Sequence, residues 1–242
     1  MNDSVGKTFV LIPAYHEELR IASVVRGVKD RYPYLEIVVI DDGSGDGTRG
    51  RALEAGARVI SHPYNLGYGV ALQTGYRYAL KEGAGSLVQM DGDGQHDPAS
   101  LQALLDAVQL GNADLAIGSR FLETPVPGEG RLPYRASLAR RCGMRLFGTI
   151  ASLIIKQKVT DPTSGYQAMN RRVLEWVSSG TFPWDYPDAD VIIMLHRAGF
   201  RILEVPVKMY ENQEKRSMHS GWKPIYYVFK MFLSILVTLM RK

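Results

Sequence analysis

Two short clusters of acidic residues and glycines carry the clearest chemical signal in this 242-residue chain. In the first, an apolar stretch runs directly into Asp-Gly-Asp-Gly-Gln-His at 91–96. Two aspartates separated by one glycine can direct both carboxylates at one cation, and glycine lets the backbone approach closely. A calcium loop of the EF-hand type would need Gly and Glu where this chain has His96 and Gln102. The spacing therefore predicts a different divalent-metal site at Asp91 and Asp93.

The second cluster, Asp-Asp-Gly-Ser-Gly-Asp-Gly-Thr at 41–48, also follows an apolar stretch. Its glycines do not match the Gly-x-Gly-x-x-Gly pattern of dinucleotide-binding turns, and its carboxylates would repel a pyrophosphate unless a cation intervened. Asp41 is better suited to accept hydrogen bonds from a base or a ribose. The alternative is an ordinary turn rich in Asp and Gly. The presence of two such clusters on one sheet disfavours this alternative.

The hydrophobic pattern predicts the elements that would bring these clusters together. Short apolar stretches alternate with amphipathic ones, as in a mostly parallel α/β sheet with helices on both faces, whose ligands bind at the carboxyl ends of the strands. Asp97, directly before Pro98, is predicted to cap a helix. The predicted strands are 9–12, 37–40, 58–60, 87–90 and 115–117, and the predicted helices are 19–29, 48–55, 70–81 and 98–110.

The regular alternation ends after Gly118. The span 121–133 is predicted to be a long loop, and long loops in compact domains are usually lids or binding loops. Further along, we expect helices at 135–155, 171–178 and 188–198, a turn entering a short strand at 161–170, and a strand at 200–207.

Composition excludes several classes of protein. With 45% hydrophobic and 22% charged residues, the chain is neither disordered nor collagen-like. Its one cysteine, Cys142, excludes an internal disulfide and disfavours a cysteine-based zinc site. The first residues, 1–7, lack the basic and then apolar pattern of a secretory signal, so we expect a cytoplasmic location.

Five segments, in this order, resemble glycosyltransferase family 2, and the polyprenyl-phosphate glycosyltransferases most of all. They are Ile12–Glu18, Val39–Ser44, Gln89–His96, Gly118–Phe121 and Asp161–Tyr166. The resemblance implies a GT-A, Rossmann-like fold and a nucleotide-sugar donor. It also implies that Asp91, Asp93 and Gln95 hold Mg²⁺ or Mn²⁺ against the donor diphosphate, and that the nucleoside is bound by Pro13, Tyr15, Glu17 and Asp41. His16 stands where the family usually has Asn.

The expected chemistry is sugar transfer with inversion, in which Asp91 and Asp93 act through the cation on the departing phosphate. A lipid phosphate acceptor is already ionised, so it needs no strong general base. If the acceptor is instead a sugar or protein hydroxyl, Asp161 is the expected base. A catalytically silent nucleotide-sugar-binding subunit is a third possibility, which the intact acidic motif disfavours. The resemblance favours UDP-linked glucose or N-acetylglucosamine as the donor.

Basic residues cluster between Arg131 and Thr160, where the chain has no acidic residue. Such a surface suits a phosphate, and the acidic motif together with the lack of a nucleic-acid-binding motif excludes nucleic acid. The resemblance implies that Arg120 contacts the acceptor phosphate. The other expected contacts are Arg135 or Arg140, and Lys215 or Arg216 as the replacement for a family arginine whose position is taken by Asn212.

The C-terminal stretch Ile225–Met240 is shorter than the roughly 20 apolar residues of a spanning helix, and Lys230 interrupts it. Its narrow polar stripe is compatible with a helix in the lipid headgroup region or with one packed on the domain or on a partner subunit. We therefore expect a catalytic domain at 1–222 and an amphipathic helix at 223–242. The expected enzyme is peripheral at the cytoplasmic face of the membrane, aided by an integral membrane partner or by homo-oligomerisation.

Overall fold

The computed structural model describes residues 6–122, 138–179 and 189–210, together with Leu233, Ile235 and Val237. Its strands are β1 (Lys7–Ala14), β2 (Glu36–Asp41), β3 (Arg58–Ser61), β4 (Ala84–Gln89), β5 (Leu115–Ser119), β6 (Gln167–Asn170) and β7 (Ile202–Pro206). Its helices are α1 (Ile21–Arg31), α2 (Thr48–Glu54), α3 (Tyr68–Lys81), α4 (Leu101–Gln109), α5 (Leu138–Ile155), α6 (Arg171–Val177) and α7 (Ala189–Arg197).

The strands form one seven-stranded sheet in the order β3-β2-β1-β4-β6-β5-β7. Every pair is parallel except those of β6, which runs antiparallel to β4 and to β5. This confirms the predicted mostly parallel α/β sheet, although the sequence pattern did not predict that β6 lies between β4 and β5. Because β6 is reversed, the turn that precedes it, 161–166, lies at the edge where β4 and β5 end.

Hydrophobic side chains cover both faces of the sheet. In β1, Phe9 and Leu11 belong to one core, and Val10 and Ile12 belong to the other. Helices α3, α5, α6 and α7 pack on the first face, and α1, α2 and α4 pack on the second. Burial on both faces explains why the central strands are continuously apolar instead of alternating with polar residues.

Local signals placed most helix ends within two or three residues. The predicted cap at Asp97 is confirmed, because its Oδ1 accepts a hydrogen bond from the Ala99 backbone N–H at 2.9 Å. Helix α3 begins at Tyr68, earlier than the pattern predicts. The reason is tertiary: the Asp42 carboxylate accepts hydrogen bonds from the backbone N–H groups of Leu66 and Gly67, which holds the turn in front of the helix.

Most of the predicted loop 121–133 lies outside the described residues. Of the segment 223–242, the structure describes three residues, all helical, of which Ile235 is buried in the first core. The amphipathic helix predicted there stays a prediction. None of the helices in the described part of the chain combines the length and hydropathy needed to cross a membrane.

Candidate active site

Asp91 lies just beyond the carboxyl end of β4 and is held by His96 of its own loop and by neighbours from two other parts of the chain. Its Oδ1 accepts a hydrogen bond from the Tyr68 hydroxyl at 3.0 Å, and its backbone N–H donates to His96 Nδ1 at 3.0 Å. Gly165 packs against the carboxylate so closely that a Cβ there would lie 3.1 and 3.2 Å from its two oxygens. The orientation of this carboxylate is therefore set by the fold.

Asp93 and Gln95 form a compact pair in the same loop. The Gln95 backbone N–H donates to Asp93 Oδ1 at 3.0 Å, and the Gln95 side-chain amide donates to Asp93 Oδ2 at 2.6 Å. In this arrangement Gln95, the third predicted metal ligand, orients the Asp93 carboxylate. Its own role as a ligand stays a prediction.

The charges of the two aspartates fit a divalent cation. Burial raises the pKa of Asp91, opposed by the Tyr68 hydrogen bond and the Arg120 charge. Burial and the charge of Asp91 raise the pKa of Asp93. A cation would relieve this crowding of negative charge. Among the described residues, no group of three or more His, Cys, Asp or Glu side chains forms a metal cluster, and Mg²⁺ often uses only one or two carboxylates together with substrate phosphates.

His96 holds the acidic loop through contacts with the Asp91 backbone and the Tyr166 ring. Its ring stacks on that of Tyr166, with centroids 4.7 Å apart and planes inclined by 8°. Burial lowers the pKa of His96 to about 4, so the ring is neutral at physiological pH. Since Nδ1 accepts the Asp91 N–H, the ring proton lies on Nε2, which is 3.7 Å from Asp91 Oδ2.

The residues predicted for the nucleoside lie at the carboxyl ends of β1 and β2. The rings of Tyr15 and His16 stack 4.1 Å apart, and Tyr15 is 46% exposed. Asp41 is buried and accepts hydrogen bonds from the Ser44 backbone and the Ser61 hydroxyl. Pro13 pairs with β2, and Glu17 forms an ion pair with Arg20 at 2.7 Å. The fold brings all four predicted residues to one edge of the sheet.

His16 replaces the family's usual Asn in a left-handed backbone conformation, with φ of 56°. Its backbone N–H donates to the Ser44 hydroxyl, and its Nε2 accepts from the Gly45 N–H at 3.1 Å. The backbone and the side chain of His16 thus both join the loop after β1 to the loop after β2. Asn and His are both among the non-glycine residues that adopt this backbone conformation more often than others.

Arg120 and Asp161 form a buried, two-pronged ion pair. Arg120 Nε donates to Asp161 Oδ2 and Nη2 donates to Oδ1, both at 2.6 Å. Asp161 is 0% exposed, and its backbone N–H donates to Glu204 on β7. The ion pair connects the turn before β6 to the end of β5. The predicted phosphate contact Arg120 and the predicted base Asp161 therefore bind each other in this structure.

Beside this pair, a groove of about 810 Å³ runs along α5. It starts at Phe121 and Thr160, the neighbours of Arg120 and Asp161 in the sequence. Apolar and cationic residues both line it, among them Met144, Leu153 and Val159, and Arg145, Lys156 and Lys158. Of the other predicted phosphate contacts, Arg135, Lys215 and Arg216 lie outside the described residues, and only the backbone position of Arg140 in α5 is described.

Three residues at the site were not assigned from the sequence. His96 stands inside the acidic motif, so its position in that motif was an available signal. Gly165 meets Asp91 from the turn before β6 and lies within the family segment Asp161–Tyr166, which was an available signal. Tyr68 meets Asp91 from α3, and its sequence surroundings give no indication of that contact.

Comparison with known proteins agrees with the geometry. Residues 9–177 match the family described as Glycosyl transferase family 2. Over 225 residues the chain is 34% identical to polyprenol monophosphomannose synthase from Mycolicibacterium smegmatis, covering 89% of this chain and 82% of that protein. It is also 28% identical to UDP-N-acetylglucosamine–dolichyl-phosphate N-acetylglucosaminyltransferase from Methanococcus voltae, in a match that covers 97% of this chain and 96% of that protein.

Among solved structures, the fold is similar to that of glucosyl-3-phosphoglycerate synthase from Mycobacterium tuberculosis in complex with Mn²⁺, UDP and phosphoglyceric acid. The TM-score is 0.64 at 22% sequence identity, covering 97% of this chain and 78% of that one. This similarity confirms the expected GT-A fold. Because the family match spans most of the sheet and the acidic motif, the chain belongs to glycosyltransferase family 2 and is a glycosyltransferase.

Proposed function

We propose that this glycosyltransferase moves a hexose from a nucleotide sugar to a polyprenyl phosphate, with a divalent cation held by Asp91 and Asp93. One observation carries the proposal: Arg120 lies between the paired carboxylates and an apolar groove with cationic residues. Its charge acts on Asp91, and its guanidinium contacts Met144, which lines the groove. The names of the two relatives, which specify a polyprenol and a dolichyl phosphate, support the acceptor class.

On the donor side, the chain supplies oxygen ligands and an exposed aromatic ring. Bound Mg²⁺ or Mn²⁺ would offset the negative charge that develops on the departing diphosphate. Asp91 and Asp93 would hold the cation, with Tyr68 and Gln95 fixing their carboxylates. The ring of Tyr15 can stack on a base, and the loops that follow β1 and β2 would enclose the nucleoside. The Mn²⁺ and UDP in the similar solved structure support this assignment.

On the acceptor side, the groove suits a lipid phosphate. Its apolar residues can cover a polyprenyl chain, and the cations Arg145, Lys156 and Lys158 can attract the phosphate. A phosphate acceptor needs no proton removed. The environment of Asp161 is consistent with an acceptor that requires no base, because both of its carboxylate oxygens accept hydrogen bonds from Arg120. The alternative, transfer to a hydroxyl with Asp161 as base, would first require this buried ion pair to open.

The identity of the donor sugar is a further part of the proposal. The sequence resemblance favours UDP-linked glucose or N-acetylglucosamine, and the relative from Methanococcus voltae is named for UDP-N-acetylglucosamine. The more similar relative is named for mannose, which adds a nucleotide-linked mannose to the proposed donors. We also propose that the enzyme works at the cytoplasmic surface of the membrane, to which the segment 223–242 would bind.

The deciding experiment offers radiolabelled GDP-mannose, UDP-glucose and UDP-N-acetylglucosamine to the purified protein with undecaprenyl phosphate and Mn²⁺. We expect one donor to yield a labelled lipid in the organic phase. The yield should fall to background with EDTA or in the Asp91→Asn/Asp93→Asn variant. The proposal is wrong if no donor labels the lipid while one of them labels a water-soluble sugar or protein acceptor.

A further inference from the structure

Three polar side chains form a hydrogen-bonded chain that crosses the hydrophobic core and ends at Asp91. The Tyr76 hydroxyl donates to Gln89 Oε1, and Gln89 Nε2 donates to the Tyr68 hydroxyl oxygen at 3.0 Å. The Tyr68 hydroxyl then donates to Asp91 Oδ1 at 3.0 Å. Each group accepts from the one before it, so all the hydrogens in the chain point toward the carboxylate.

The interior part of this chain is not required by packing. Tyr76 is 2% exposed and Gln89 is 3% exposed. Most residues around them are apolar, although Gln167 on β6 pairs with Gln89. A buried amide is costly unless it is hydrogen-bonded, and replacing both partners with apolar groups of similar shape is often neutral or stabilising. Burial also raises the pKa of Tyr76, which keeps its hydroxyl protonated and able to donate. A role for this polar chain is therefore expected at its outer end, where the Tyr68 hydroxyl contacts Asp91.

We propose that Tyr68 is a positioning residue for the cation site, and that Gln89 and Tyr76 hold the Tyr68 hydroxyl in the direction that donates to Asp91. The inference rests on the proposed function, since it needs Asp91 to be a metal ligand. Partners in the outer shell of a metal site fix the orientation of the ligands, and losing one commonly weakens metal binding. Gly165, in the turn before β6, packs against the Asp91 carboxylate and restricts the rotation of that group.

The test measures Mn²⁺ binding to the full chain by the electron paramagnetic resonance signal of free Mn²⁺. One series uses Mn²⁺ alone, and a second adds UDP or GDP. Tyr68→Phe should weaken Mn²⁺ binding by about tenfold or more. Tyr76→Phe/Gln89→Leu, which leaves Tyr68 in place, should weaken it by roughly threefold. In that double variant the unfolding midpoint should be unchanged or higher, because an apolar pair of similar shape replaces a buried hydrogen-bonded pair.

Tyr78→Phe is the matched control, since Tyr78 lies on the same helix and its hydroxyl accepts a hydrogen bond from Arg58, away from the acidic loop. It should bind Mn²⁺ like the wild type. If Tyr68→Phe and the double variant also bind like the wild type, the positioning role is overturned and the metal site stands. If the double variant only loses stability, its polar chain is structural and the role of Gln89 and Tyr76 is overturned. If the wild type binds no Mn²⁺ in either series, the metal part of the proposed function fails, and this inference fails with it.

Discussion

At the scale of single residues, the Arg120–Asp161 pair is the strongest constraint on how this site works. Removing one charge of a buried ion pair is strongly destabilising, because the other charge stays buried and loses that counter-charge. Glu204 adds hydrogen bonds from the Thr160 and Asp161 backbone, so the pair is held from β7 as well. A role in holding the turn before β6 accounts for these contacts more directly than a role as a base.

Asp161→Asn should lower the free energy of unfolding by about 3–5 kcal/mol, because it removes the negative charge that pairs with the buried Arg120 guanidinium. Urea unfolding monitored by circular dichroism measures this. Glu175→Gln is the control, since Glu175 pairs with Arg171 at 2.8 Å on an exposed helix surface and such pairs contribute less than about 1 kcal/mol. An Asp161→Asn protein that kept its stability and lost only sugar transfer would instead favour the role of base.

At the scale of elements, the contact of α3 with β1 positions the polar chain that ends at Asp91. Helix α3 carries Tyr68 and Tyr76, and it approaches β1 at Gly75. A Cβ at Gly75 would lie 2.1 Å from Leu11 Cδ1, and Leu11 is fully buried in the central part of the sheet. The glycine is therefore needed for the distance between helix and strand.

Gly75→Ala should lower the free energy of unfolding by about 1–3 kcal/mol, the usual effect of overpacking a core. Gly50→Ala in α2 is the matched control. A Cβ there meets no atom within 4 Å among the described residues, so the substitution should stabilise the protein by about 0.4–1 kcal/mol. Thermal and urea unfolding of the two variants give the comparison. Equal stabilisation by both would contradict the close approach of α3 to β1.

At the scale of the whole molecule, the candidate site is assembled from segments far apart in the chain. The loops after β1, β2 and β4 contribute because parallel strands end at one edge of the sheet, and the turn before β6 contributes because β6 is antiparallel. These loops meet only in the folded protein, so a ligand that contacts several of them binds the folded state and not the unfolded chain. Its binding should therefore stabilise the whole domain.

Mn²⁺ together with UDP or GDP should accordingly raise the melting temperature. A ligand at about 100 times its Kd adds about 2.7 kcal/mol, which for a chain of this size corresponds to roughly 5–10 °C. Differential scanning fluorimetry with each nucleotide would identify the base from the larger shift. In Asp91→Asn the part of the shift that depends on Mn²⁺ should disappear. If neither nucleotide raised the melting temperature of the wild type, the donor site would be assigned wrongly.

The sequence by itself determined those features that depend on neighbours within a few residues. These are the doubly buried strands, the helix cap at Asp97, the two acidic clusters and the family motifs. Only the tertiary structure decided which groups meet. Tyr68 reaches Asp91 across 23 residues and Arg120 reaches Asp161 across 41. The latter contact makes Asp161 an ion-pair partner, and its role as a base for a hydroxyl acceptor stays a prediction. The physical reason is that short-range periodicity specifies the type of each element, whereas strand order and direction decide which distant side chains share an edge of the sheet.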